Sequence, residues 1–392
     1  MFNKAITILF LSLFGIAFSQ NITFSEAIEK GKTLTRVGDY NKALKYLEIA
    51  KQLKPGEHQP WQLVGIALYK SGKYSQAKLN FEKSKKIFED DYVSDTYLGN
   101  IYIKENQLDK ADTYLKRASD TAPEYPYAQI SLGYLHIKQK DLAKGRMQMK
   151  KALDVALDDD IETYKTIGAM YMAEKMPKDA IYTYNKYINT CGDAIPKDFA
   201  QINYLLARIY DSEKNPRAEM SYRTAFEFDD KNVNYAQDFA SYLFRKNKIN
   251  EAFNAYLSAS KIGKMKPENY YNLGLIYFNQ KEVKSAVKYF ELADKGKNKF
   301  VAAKIGLSAA YLRIGEYDKC ILKNNEVIKL EPNNETAWYN NACAYAQKGD
   351  KKQTFIQLKK AIELNPENKK FAKGESMFSK LANDAEFIKL TN

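Results

Sequence analysis

Side-chain size alternates in step along this chain. A small residue recurs at Gly31, Gly65, Gly99, Gly133, Gly168, Ala207, Ala240, Gly274, Ser308 and Ala342, with steps of 34, 34, 34, 35, 39, 33, 34, 34 and 34 residues. A second small series follows twelve residues behind, from Ala43 and Ala77 through Ala286, Cys320 and Thr354. A third runs from Ala50 and Ser84 through Val327 and Ala361. Large residues stand close to three positions after the first series: Leu34, Leu68, Tyr102, His136, Tyr171, Tyr210, Leu243, Tyr277, Tyr311 and Tyr345. Their partners are Leu47, Phe81, Leu115, Met149, Tyr184, Tyr222, Tyr256, Phe290, Asn324 and Leu358. Spacings of three, four and seven put such residues on one helical face. Small residues let two backbones approach, and large ones fill the remaining volume. Turns such as Val37-Gly38-Asp39-Tyr40 and Ser71-Gly72-Lys73-Tyr74 separate the helices of each unit. Pro55, Pro123, Pro332 and Pro366 end second helices, because proline lacks the amide N–H that propagation needs. The pattern predicts an all-α chain of stacked helical hairpins.

The sharpest copies are Trp61-x-x-Val64-Gly65 with Ala77-x-x-x-Phe81, and Leu273-Gly274-x-x-Tyr277 with Ala286-x-x-x-Phe290. Leu98-Gly99-x-x-Tyr102 with Pro123 is close behind. On these residues the chain resembles the tetratricopeptide repeat (TPR). The resemblance implies a right-handed superhelical solenoid. It covers 24–368 as ten repeats, at about 24–57, 58–91, 92–125, 126–159, 161–197, 198–232, 233–266, 267–300, 301–334 and 335–368. Three departures interrupt it: about four extra residues near Cys191-Gly192, one fewer near Asn215-Pro216, and Asn324 where an apolar residue is expected. The tail, 369–392, reads as a capping helix over the last repeat.

Composition supports a packed core, with 45% hydrophobic and 28% charged residues. The N-terminus adds a destination. Lys4 precedes an apolar run from Ala5 to Phe18 that ends in Ala17-Phe18-Ser19, the pattern of a signal peptide over 1–19. Retention of that segment as an anchor is the alternative. The chain is therefore expected in the periplasm, the cell envelope or the medium. Of its net charge of +13, residues 231–392 hold most, with 28 Lys and Arg against 17 Asp and Glu. That half can attract anionic polymers or a membrane surface, so peripheral membrane contact stays open; the leader argues against nucleic acid.

Candidate chemistry is sparse. His136 occupies a large-residue slot and His58 is placed in a solvated loop before Trp61. Gly31-Lys32-Thr33 lacks the first glycine of a phosphate loop, since Glu26 stands there. Asp158-Asp159-Asp160 with Glu162 lacks the ligand alternation of a calcium loop and reads as helix capping. Cys320 and Cys343 lie in adjacent repeats, where a bridge and simple packing are both open. No cofactor, metal or catalytic residue is implied, and no oligomeric state.

In the family that the chain resembles, the first helix of each repeat lines the concave face. That register implies a partner-binding row of Ile66, Tyr69, Tyr127, Ile130, Tyr134, Tyr204, Phe244, Tyr271, Phe278 and Tyr339, with Asn100, Ile103, Ile137, Lys165 and Met172 among their neighbours. Part of such a row packs between helices instead. Some TPR domains grip a C-terminal carboxylate with Lys, Asn and Arg in register; Thr96/Asn100 and Tyr271/Asn272 match that set only partially. The resemblance thus implies a non-catalytic scaffold or adaptor for a protein or peptide. The alternative is an anionic polymer or membrane surface held by the basic half.

Overall fold

Each hairpin is closed by the same backbone device. The carbonyl of the large residue in the first helix accepts a hydrogen bond from an amide five residues later, as in Asp39 N to Leu34 O (2.9 Å), Gln107 N to Tyr102 O (2.8 Å) and Glu282 N to Tyr277 O (2.9 Å). Such a bond satisfies an orphaned carbonyl when the intervening residue adopts left-handed φ. Ten residues do so in register: Gly38, Gly72, Asn106, Lys140, Lys175, Lys214, Asn247, Lys281, Gly315 and Gly349.

The structure, a computed structural model, describes residues 22–157, 160–190 and 196–392. The expected signal segment at 1–19, Asp158, Asp159 and the expected insertion at Cys191-Gly192 lie outside the described residues. The chain divides into two units, before and after residue 193. In the first, the helices are α1 (Phe24–Val37), α2 (Tyr40–Leu53), α3 (His58–Lys70), α4 (Tyr74–Ile87), α5 (Tyr92–Lys104), α6 (Leu108–Thr121), α7 (Pro126–Lys138), α8 (Leu142–Val155), α9 (Ile161–Ala173) and α10 (Pro177–Thr190). In the second they are α11 (Pro196–Ser212), α12 (Arg217–Phe228), α13 (Val233–Arg245), α14 (Ile249–Ile262), α15 (Pro267–Asn279), α16 (Val283–Gly296), α17 (Val301–Arg313), α18 (Tyr317–Leu330), α19 (Glu335–Lys348) and α20 (Lys351–Leu364). Among the described residues there is no strand, and within each unit consecutive helices pack as a solenoid of hairpins.

Size complementarity fixes the crossing inside a hairpin. A Cβ built on Gly65 would lie 2.6 Å from the Phe81 ring, and one on Gly168 2.3 Å from the Tyr184 ring. Gly31 faces Leu47, and Gly99 faces Leu115, in the same way. Side-chain caps start several helices: Thr23 and Glu26 form a reciprocal capping box at α1, and Asp39, Asp141 and Asp160 each accept an N-terminal amide. Buried Asp95 of α5 ties two hairpins together: it receives Lys85 of α4 from the preceding hairpin at 2.8 Å and Arg117 of α6 from its own at 2.5 Å.

Several expectations are revised. α11 has 17 residues where most first helices have 13, so it begins two residues before the expected boundary at 198. His58 is no loop residue; it opens α3 and packs on the Phe88 ring at 4.8 Å. The tail is not one helix but three short pieces: α21 (Asn368–Gly374), a 3-10 segment (Ser376–Leu381) and α22 (Ala385–Thr391). They bury Phe378 and Phe387 in the core of the last hairpins. Asp384 caps α22 and pairs with Lys351 of α20.

Candidate ligand groove

The first helices of the N-terminal unit touch their neighbours in sequence, α1 with α3, then α5, α7 and α9. One face of each is therefore left to a shared hollow. Two cavities open there, of about 720 and 820 Å³. Asn100, Thr166 and Met170 line both, so they form one channel.

Its walls are aromatic. Tyr97 stacks on Phe81 with ring centroids 5.2 Å apart and meets Tyr69 edge-on at 5.0 Å. Tyr125 packs against Tyr92 and Tyr127 at 5.1 and 5.5 Å. Burial pushes the Tyr69 and Tyr97 hydroxyls up to about 12, so both are neutral donors at any physiological pH. Two polar side chains shared by both cavities are uncommitted: neither Asn100 nor Thr166 makes a side-chain hydrogen bond among the described residues, whereas Thr96 donates to the Tyr92 carbonyl at 2.8 Å. Arg36 and Lys70 line the first cavity and have no carboxylate partner among the described residues, while Glu162 is held by Lys165 at 2.6 Å.

Of the residues predicted from the register, Tyr69, Tyr127, Ile130 and Tyr134 line this channel, with Asn100 and Ile103 beside them. Ile66 packs on the core, and Ile137 fills the space over Gly145. In the C-terminal unit the predicted residues engage their neighbours. The Tyr204 hydroxyl donates to Asp238 at 2.6 Å, and Phe244 meets Tyr256 at 6.4 Å. Tyr271 lies against Phe290 and Phe300, Arg313 sits over the Phe278 ring at 4.6 Å, and Tyr339 meets tail residue Phe378 at 6.0 Å. The register does not single out Arg36, Lys70, Tyr97, Tyr125 or Thr166. A search for hydrophobic periodicity passes over cations and turn residues, although Arg36 and Lys70 hold one fixed repeat position.

Other reactive groups are committed to structure. Ser84 is fully buried; its one hydroxyl proton goes to Asp91 at 2.6 Å, with the His58 carbonyl 3.1 Å away, and among the described residues no imidazole nitrogen is bonded to it. Cys320 and Cys343 are buried free thiols, and burial pushes Cys320 up to about 12 against a hydrogen bond from Asn324. His136 fills its packing slot with Nδ1 3.2 Å from Gln139. Among the described residues no three His, Cys, Asp or Glu side chains converge as metal ligands, and no helix is long and apolar enough to cross a membrane.

Comparison with known proteins agrees with the hairpin register. Tetratricopeptide repeat family models match residues 98–125 and 335–368, and a TPR repeat model matches 241–281. No curated protein matches the sequence. Among solved structures the chain is similar to YrrB, described as a TPR protein with an unusual peptide-binding site (21% identity, 47% of this chain and 92% of that one, TM-score 0.41). It is also similar to TTC0263, a thermophilic TPR protein of Thermus thermophilus (17% identity, 48% and 98%, TM-score 0.41). A third is the human IFIT1 dimer with PPP-AAAA (15% identity, 70% and 64%, TM-score 0.45). With family models matching in both units, on hairpins that share one packing register, this chain carries tetratricopeptide repeats.

Proposed function

We propose that the protein is a non-catalytic scaffold or adaptor that holds an extended peptide, or a segment of another protein, in the channel of its N-terminal unit. The family supports a protein-interaction role in general. The observation that carries the finer reading is the channel, where uncommitted polar groups lie between tyrosines. An extended segment brings unpaired backbone amides and carbonyls, and Asn100 can both donate to and accept from them. Tyrosines offer large contact area at low entropy cost. The apolar leader at 1–19 supports a site of action in the periplasm or cell envelope.

The test is photo-crosslinking in the envelope fraction from a reactive residue placed at exposed Ala169, which lines the second cavity. A discrete protein adduct is expected there and not from the same probe at exposed Met220 of α12. Equal labelling from both positions, or none, would remove the reading. N-terminal sequencing of that material should begin at Gln20; an intact Met1 in the cytoplasm would remove the export proposal.

A second reading has its own observation. On α20, Lys352 and Lys359 flank exposed Ile356 at a cavity of about 530 Å³, whose lining also holds Glu386 and Lys351, the latter paired with Asp384. Cations around apolar side chains suit an anionic membrane surface. Binding to anionic vesicles that falls steeply with salt is expected; no binding at low salt would exclude it.

A further inference from the structure

The channel also carries a charge pattern. Five residues beyond the small residue of each first helix stand Arg36, Lys70, Lys104 and Lys138, in four consecutive hairpins at intervals of 34. All four are exposed, each in the last turn of its helix. Arg36 and Lys70 line the first cavity, and Lys104 and Lys138 the second. A cation in the last turn opposes the helix dipole. That dipole is common to every first helix, yet in the six later hairpins the same position holds Ala173, Ser212, Arg245, Asn279, Arg313 and Gln347, so cations there are scattered and no two are consecutive. The dipole alone therefore does not account for four in succession on one channel.

The four are unequally engaged. Lys138 pairs with Glu174 at 2.5 Å, and Lys104 lies over the Tyr74 ring at 5.3 Å. Arg36 and Lys70 have no acidic partner among the described residues. Two uncompensated cations thus border a channel floored by Tyr97 and Asn100. Packed helices lie about 8–10 Å apart, and an extended chain advances about 3.3 Å per residue. One hairpin therefore corresponds to about three residues of an extended ligand.

We propose that the channel recognises an extended acidic segment of another protein, with side-chain carboxylates at about every third residue paired to Arg36 and Lys70 and continuing toward Lys104 and Lys138. The recognised groups are internal side chains, not a chain terminus. This rests on the peptide-groove reading and adds the chemistry of the occupant.

The test uses the full chain and fluorescence anisotropy with three labelled synthetic peptides of equal length. One carries Glu at every third position, one carries Gln there, and one has the same glutamates grouped at one end. The first is expected to bind about tenfold more tightly than either of the others. R36E/K70E should cost the first peptide about tenfold and leave the Gln peptide unchanged. The neutral pair R36Q/K70Q, also on exposed positions, should give an intermediate loss. Equal affinity for the Glu and Gln peptides, indifference to R36E/K70E, or no binding at all would overturn the proposal. If all three bind equally and all are lost on Thr166→Trp or Ala169→Trp, the groove reading survives and the acidic occupant does not.

Discussion

At the scale of single residues, the hairpins depend on one size rule at the helix crossing, and Asn324 breaks it. The position belongs to the large apolar series of Phe81, Tyr256 and Phe290. It is fully buried; its amide donates to the Cys320 sulfur at 3.4 Å, and its carbonyl oxygen has no partner. A buried acceptor without a donor costs about 1–3 kcal/mol. Asn324→Leu restores the residue type found at Leu358, which crosses Ala342 in the next hairpin. It should raise stability by about 1–2 kcal/mol, read as a higher urea midpoint at unchanged slope. The reverse change, Leu358→Asn, should lower the midpoint. A loss on Asn324→Leu would mean that the space opposite Ser308 does not admit a branched side chain.

At the scale of elements, what the sequence displays and what it hides have separate causes. The hairpin helices are legible because crossing geometry demands small and large residues at fixed intervals, and Gly65 with Phe81 shows that demand directly. The turns are only half legible. Gly38, Gly72, Gly315 and Gly349 announce a left-handed residue, but Lys140, Lys175, Lys214 and Lys281 occupy the same position with φ between 55° and 66°. Lysine gives no local cue there; the flanking helices impose the conformation. In the tail, Phe371, Met377, Phe378 and Phe387 show where apolar groups lie and not where the backbone breaks, so one helix is expected where three short pieces form. In the groove, the register locates Tyr69 and Tyr134 but does not separate them from Ile66 and Ile137, since packing against neighbouring helices decides which side chains stay open. The strained turns make a prediction of their own. A non-glycine residue in left-handed φ costs about 1 kcal/mol, part of which glycine returns through greater freedom in the unfolded chain. Lys281→Gly should therefore stabilise by about 0.5 kcal/mol, and Gly72→Lys should destabilise, as shifts in opposite directions of the thermal midpoint. Shifts of the same sign would contradict the account.

At the scale of the whole molecule, the cores are built from tyrosine to an unusual degree, with 30 in 392 residues. That choice makes stability depend on alkaline pH. In the N-terminal unit, burial pushes Tyr69, Tyr97, Tyr171 and Tyr184 up to about 12. In the C-terminal unit, Tyr204, Tyr222, Tyr311 and Tyr339 are raised as well, again by burial first. An unfolded tyrosine ionises near about 10, so the folded chain binds more protons than the unfolded one above that pH. The stabilisation is complete below about 10 and is lost as pH rises toward about 12. Lysines discharge near the same window, and the pair of Lys304 with Asp294, where burial is outweighed by the carboxylate and the Lys304 ammonium is held above its ordinary range, weakens as it does so. Helical ellipticity at 222 nm and tyrosinate absorbance at 295 nm, followed together from pH 8 to 12.5, are expected to show late-ionising tyrosines whose absorbance rises as the helices melt. If every tyrosine ionised in one step near pH 10 with ellipticity intact, the tyrosines would not be closing the hairpin cores, and the packing register would need another explanation.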